Sequence, residues 1–315
     1  MAQQRYQLRL METFRSVFYT PIYVAVGGGF LESAGLDVTF STCPSQYPHP
    51  LSALNHGAAD IVQSGIMRSI ISADWGAETV PAHFAKINSR DGFFVLSRRS
   101  AEEIREESRE VFRWEGLSGS TVIPVGFSPM PWASFQSALR KHRVEPEQLN
   151  LMTGLSLDQA VAAFRDGQAD FIHLPEPVVE QLLHEGSGYM AIALGPENGH
   201  IAYSSFAATN RFLTENQDLV SRFMDGYSQA LLWLAGSEAA EITEAVAPFF
   251  DQVPRELIAQ AISRYQAQET WPNHPALAEP EYQGLQEILI GAGLVRERQP
   301  YEKVVRPEFA EALSS

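Results

Sequence analysis

Short apolar runs alternate with amphipathic stretches along the first ninety residues, which predicts βα units wound around a largely parallel sheet. Tyr6 to Met11 reads as the first strand. Pro21 to Leu31 carries helical spacing and stops near Gly35, a residue suited to the left-handed position past a helix end, before a strand over Asp37 to Phe40. A helix over Leu51 to His56 runs into Gly57. Strand Asp60 to Gln63, helix Ile66 to Ala73 and strands near Val80 to Ile87 and Phe93 to Leu96 complete a first lobe.

Ser100 to Glu115 breaks this rhythm. Four acidic residues and two arginines fall between Ala101 and Arg109, the composition of a solvated connector. The alternation then resumes with strand Thr121 to Val125, helices Pro131 to His142 and Leu157 to Asp166, strand Ala169 to His173, helix Pro177 to Glu185 and strand Tyr189 to Leu194. That predicts a second lobe. After Ile201 to Thr209 the pattern turns helical, at Leu219 to Leu234, Glu238 to Phe250, Pro254 to Ala267 and Pro280 to Ile290, and these helices are expected to pack on the first lobe. The expected division is therefore residues 1–97 plus 200–315 as lobe I and 98–199 as lobe II. The lobes also echo one another: LNHGAADIV at Leu54 to Val62 and FRDGQADFI at Phe164 to Ile172 share a helix end, a Gly-x-Ala-Asp turn and an apolar run.

Composition narrows the function. At 315 residues, 45% of them hydrophobic, the chain is long enough to split its core in two. A formal net charge of −15 opposes contact with a phosphate backbone, so nucleic acid is not an expected partner, and it suits a monomer. One cysteine, Cys43, leaves no internal disulfide and no thiolate cluster for zinc, and the eight histidines include no His-x-x-x-His pair. Gly27 to Gly29 lacks the spacing of a nucleotide loop, and Gly126 to Met130 lacks the second glycine of a nucleophile elbow. The apolar stretch Val17 to Val26 is interrupted by Thr20 and Pro21, so no secretory leader or membrane span is read. The protein is expected in the cytoplasm if Met1 is the native start, or in the periplasm if a leader has been removed.

Four stretches resemble one family: PIYVAVGGGFLESAGLDV at Pro21 to Val38, GAADIVQSG at Gly57 to Gly65, WEGLSGSTV at Trp114 to Val122 and FLTENQ at Phe212 to Gln217. In order and spacing, over roughly residues 6 to 235, they are similar to the thiamine-pyrimidine-synthase-like family, which includes the substrate-binding proteins of sulfonate, nitrate, taurine and pyrimidine-precursor ABC transporters. The resemblance implies a two-lobed α/β type II periplasmic binding protein fold, crossed twice by the chain, with a hinged cleft for a small organic ligand. The family's enzymes lose their central residues here. Where the pyrimidine-synthase branch holds pyridoxal phosphate on a lysine and places a catalytic histidine, this chain has Ser64 and Arg68. Where the desulfinase-like branch has a nucleophilic cysteine, it has Glu12, Thr13 and Phe14. No cofactor is expected.

Ligands of open α/β sheets bind beyond the carboxyl ends of strands, where helix N-termini offer free N–H groups. In the first lobe that selects Glu12 to Tyr19, with Glu12, Thr13, Phe14 and Tyr19 as ligand candidates, then Thr42 to Gln46, and Ser64 to Arg68. Ser64, Gly65 and Arg68 together suit a carboxylate, sulfonate or phosphate; the plainer account is an N-cap serine and a surface arginine. In the second lobe, Phe127, Ser128 and Trp132 offer a cap and two stacking rings, with simple capping and core packing as the alternatives. Glu176 in the turn Leu174 to Pro177 either accepts from an amine or caps the next helix, and His173 beside it is a ligand candidate or hydrogen-bonded structure. Lys86 or Asn88 lies near the expected crossing, whereas Arg90 and Asp91 read as a solvated turn.

The reading that follows is a solute-binding protein that captures a sulfonate, carboxylate or pyrimidine-like molecule for an ABC permease. The alternative is a cleft enzyme of the same fold, a decarboxylase, lyase or pyrimidine-biosynthesis relative, using Glu12, His173, Glu176 or Arg68 in acid–base roles.

Overall fold

The computed structural model describes residues 5–99 and 113–311, and the chain divides into two compact units, Met1–Arg90 with His200–Ser315, and Asp91–Gly199. Most of the acidic connector expected over Ser100 to Glu115 lies outside the described residues. No helix among the described residues is long and apolar enough to cross a membrane.

The first unit is built on strands β1 (Tyr6–Glu12), β2 (Leu36–Thr42), β3 (Ile61–Gly65), β4 (Ala82–Asn88) and β10 (Ser204–Ala208), in the order β2-β1-β3-β10-β4. β1 pairs in parallel with β2 and β3, but β10 runs antiparallel between β3 and β4, so the sheet is mixed. Every residue of β4 and β10 is buried, as strands covered on both faces must be. The helix Gln217–Gly236 supplies part of that cover: the Phe206 ring lies 4.9 Å from both Phe223 and Tyr227, and the buried Tyr227 hydroxyl donates to the Lys86 carbonyl at 2.7 Å. The helix expected over Pro21 to Leu31 is two helices, Thr20–Gly27 and Phe30–Ser33, because Gly29 between them turns left-handed at φ 76°.

The second unit repeats the plan. Strands β5 (Phe93–Ser97), β6 (Thr121–Ile123), β7 (Asn150–Leu151), β8 (Phe171–Pro175) and β9 (Tyr189–Ala193) stand in the order β7-β6-β8-β5-β9. β6 is parallel to β7 and β8, and β5 is antiparallel to β8 and β9. The strand Phe93 to Leu96, expected in the first lobe, is thus part of the second unit's sheet. All five residues of β5 are buried, and the apolar run Phe93 to Leu96 carries no mark of which sheet it joins. The neighbouring turn also differs: Asp91 is not solvated but fully buried, its carboxyl oxygens accepting from the Phe93 N–H at 2.8 Å and from the Ser134 hydroxyl.

The repeated Gly-x-Ala-Asp has one structural task, performed twice. Gly57 and Gly167 take φ of 72° and 73°. Asp60 then donates its N–H to the Arg9 carbonyl and accepts the Arg9 N–H on its carboxylate, at 2.9 and 2.8 Å. Asp170 does the same with Thr121, both at 2.9 Å. Each aspartate completes a ladder rung with its side chain and sets the register of the third parallel strand against the first. Asp170→Ala leaves the Thr121 N–H without that acceptor and is expected to cost about 1–3 kcal/mol. A urea unfolding midpoint equal to that of the native protein would contradict the assignment.

Candidate functional site

In the first unit, the loop after β1 is organised around a carboxylate that is already occupied. Glu12 is fully buried; its Oε2 accepts the Tyr23 hydroxyl at 2.6 Å, and its Oε1 accepts Arg15 Nε at 2.6 Å and the Thr42 hydroxyl at 2.7 Å. The Arg15 guanidinium lies 5.4, 5.5 and 5.3 Å from the ring centres of Tyr23, Phe40 and Phe249. Burial first, and the Glu12 charge second, push the Tyr23 phenol pKa well up. Glu12 therefore ties β1 to the helix Thr20–Gly27 and to β2 and is committed to structure. Beyond it, Thr13 donates its N–H to Gln63 Oε1 at 2.8 Å and its hydroxyl to the Gln63 carbonyl at 3.2 Å, and Phe14 meets the buried Tyr19 edge-on at 5.4 Å.

Ser64 differs from expectation. It lies inside β3, fully buried opposite Ser205 of β10, and its hydroxyl makes only a long contact of 3.4 Å to the Gly65 carbonyl. The N-cap of the next helix, Met67–Asp74, is Ile66, without a side-chain cap. The strand runs on through Gly65 and consumes the serine that spacing had placed at the helix start.

Arg68 remains, on the first turn of that helix and half-buried. Among the described residues its guanidinium makes no hydrogen bond and no ion pair. Burial draws its pKa down, while the Tyr19 and Cys43 side chains, within electrostatic reach, pull it up. His49 and Cys43 feel it in return. Burial, then the Arg68 charge, lowers the His49 pKa, leaving the ring neutral with Nδ1 accepting the Ser52 N–H at 3.1 Å. Burial raises the Cys43 thiol pKa and Arg68 opposes it. Nearby in sequence, the buried amide nitrogen of Gln63 has no partner among the described residues. Gln63 was missed by sequence reasoning, although a polar residue inside a buried apolar strand is the signal that marks it. Lys86 does not join this group: its ammonium is bound to both carboxylate oxygens of Glu281, at 2.7 and 2.9 Å. Asn88 is likewise held, donating to the Phe18 carbonyl at 2.8 Å.

In the second unit, the carboxyl ends of β6 and β8 and the loop after β7 enclose a pocket of about 140 Å³, lined by Val125, Phe127, Leu155, Leu157, Ala160 and His173 among others. His173 is buried, with Phe93 and Phe135 rings at 5.5 and 5.2 Å, and neither ring nitrogen has a partner among the described residues. Burial lowers its pKa to about 3. The loop Leu155–Leu157 was not foreseen as part of a site. Phe127 is 46% exposed at the pocket, whereas Ser128, at the N-cap of the helix Pro129–Lys141, makes no side-chain cap bond. Trp132 is half-buried edge-on to Phe135 at 5.6 Å. Glu176 is fully buried and accepts the Glu180 N–H at 2.9 Å, the helix-capping role foreseen as its alternative.

Three buried groups set the response to acid. His83, between the Ser205 and Ser69 hydroxyls at 2.6 and 2.9 Å, is held by burial at a pKa of about 3, like His173, while burial pushes Asp91 up to about 7. The unfolded chain protonates both histidines near 6.5, so each costs stability as pH falls below that value; Asp91 holds its proton in the folded state and contributes the opposite sign between about 4 and 7. Two groups against one, with the lowered His49 acting in the same sense as the other histidines, gives a net loss of stability as pH falls from about 6 to 4.5. Denaturant midpoints across that range measure it, and a flat or rising stability would refute it.

With this geometry in view, comparison with known proteins places the chain. A family profile described as NMT1/THI5 like matches residues 17–239. A Bacillus subtilis (strain 168) protein named "Putative binding protein YtlA" is 29% identical over 310 residues, covering 98% of this chain and 90% of the relative. Among solved structures, the alkanesulfonate-binding protein SsuA of Xanthomonas axonopodis pv. citri, bound to MOPS, superposes with TM-score 0.70 at 19% identity, over 97% of this chain and 99% of that one. The periplasmic nitrate-binding protein NrtA of Synechocystis PCC 6803 does so with TM-score 0.68 at 15% identity, over 100% and 89%. The fold is therefore that of the type II periplasmic binding proteins, as the sequence resemblance implied.

Proposed function

The chain belongs to the NMT1/THI5-like family, and from that membership we propose that it is a solute-binding protein that captures a small organic anion, a sulfonate or carboxylate, and delivers it to an ABC permease. The observation that carries this reading is Arg68, a half-buried guanidinium at the carboxyl end of β3 with no hydrogen bond or ion pair among the described residues. A partly desolvated, unpaired charge is costly, and a sulfonate or carboxylate relieves that cost through charge-assisted hydrogen bonds, bidentate where the fork of the guanidinium meets two oxygens. The binding functions named for YtlA and SsuA support the same reading.

A cleft enzyme has less support from the same residues. Glu12 and Glu176 spend their carboxylates on structure, and His173, at about 3, is a poor general base near neutral pH. Ser64 and Arg68 occupy the positions where the cofactor-holding branch needs lysine and histidine.

A ligand that binds only the folded state stabilises it by RT ln(1 + [L]/Kd), so methanesulfonate, benzenesulfonate or acetate at millimolar concentration is expected to raise the melting temperature. Arg68→Ala is expected to weaken the effective ligand by roughly tenfold or more, about 1.5–3 kcal/mol, with Arg68→Lys recovering part of it. Unmoved melting curves with all three anions, or undiminished affinity in Arg68→Ala, would sink the proposal.

A further inference from the structure

A cavity of about 620 Å³ is lined by residues of the first unit alone, and Arg68 is not among them. Organic ligands are commonly held in cavities of about 300–1,000 Å³. One wall is Trp271, which follows the helix Arg255–Ala267. Its indole is fixed: Nε1 donates to the Phe18 carbonyl at 2.8 Å, and the ring lies 5.4 Å from the fully buried Tyr265. A flat apolar surface is thereby held in place with its one polar atom already spent.

Lys86 of β4 and Glu281 of the helix Glu279–Gly291 also line the cavity, with 9% and 14% of their side chains exposed, so the ion pair is nearly dry but not sealed. A pair this deep recovers its desolvation cost only where its remaining donors and lone pairs are satisfied. Lys86 Nζ has three N–H groups and spends two on Glu281, at 2.9 Å to Oε1 and 2.7 Å to Oε2; the third has no partner among the described residues. Each Glu281 oxygen keeps a lone pair beyond the one that Lys86 uses. A donor and an acceptor thus stand side by side. Net charge selects little there: Glu281 is matched by Lys86, and Glu269, the other carboxylate of the lining, is matched by Arg90 at 2.9 Å.

We propose that this cavity is a second ligand site, one that takes an uncharged planar ring bearing a primary amide. The amide NH₂ donates to Glu281, its carbonyl accepts from Lys86, and the ring lies against Trp271. The site is independent of the anion proposed for Arg68.

Benzamide, benzoate and benzylammonium test it, because they share a ring and differ only in the head group. Binding is followed through the indole N–H signals of 15N-tryptophan-labelled full-length protein, which has five tryptophans, with Trp271→Phe identifying the signal of interest. Benzamide is expected to move the Trp271 signal, to saturate, and to bind about tenfold more tightly than either charged probe. The three are also compared in Arg68→Ala protein, so that benzoate taken by that arginine is not counted at this site. Lys86→Met combined with Glu281→Met replaces the ion pair by apolar chains of similar length, an exchange that folded proteins often tolerate, and should weaken benzamide by about tenfold. The head-group ranking does not need the double variant. A Trp271 signal that benzamide leaves unmoved, a charged probe that binds as tightly as benzamide in Arg68→Ala protein, or a folded double variant with undiminished benzamide affinity would each overturn the site.

Discussion

In each unit an aspartate carboxylate stands in for a backbone acceptor at the first rung of the central parallel pair. Asp60 holds Arg9 and Asp170 holds Thr121, in both cases with an N–H donated and an N–H accepted across the same two residues. A one-residue slip would turn every side chain of β3 or β8 to the opposite face, burying loop residues and exposing the core. With the rung fixed, Leu10 faces Ile61 and Val122 faces Phe171, and the chain leaves β3 toward Arg68 and β8 toward Glu176 at the ends where ligands are taken.

The polar groups near those ends sort by whether the protein already uses them. Glu12 has three donors, Lys86 has Glu281, and Glu176 has the start of the next helix. Among the described residues, Arg68 and His173 are left with hydrogen-bonding capacity unspent. They differ in kind, one a permanent cation and the other an imidazole that burial keeps neutral.

Much of the fold was legible because its signals are local. The alternating βα rhythm, the left-handed glycines at Gly57 and Gly167 and the amphipathic helix beginning near Leu219 all depend on periods and turns within a few residues. What was not legible depends on partners distant in sequence. Phe93–Ser97 belongs to the second sheet, and Asp91 is buried, for reasons that lie at Pro175 and Ser134. The candidate loops were found by the strand-end rule, but which of their side chains is free could not be. Glu12 and Arg68 look alike as charged residues after strands, and only Tyr23, Arg15 and Thr42 make the first one structural. Ser64 was misplaced because β3 continues through Gly65, a boundary shift of the size that propensity does not resolve.

The central claim is that an anion meets the guanidinium of Arg68. A crystal structure of the native protein grown with benzenesulfonate tests it most directly, since the sulfonate sulfur is recognisable in density. The account predicts sulfonate oxygens within about 2.7–3.0 Å of Arg68 Nη atoms, the range of a charge-assisted hydrogen bond. Density for the sulfonate on other side chains, with the Arg68 guanidinium left in water, would contradict it.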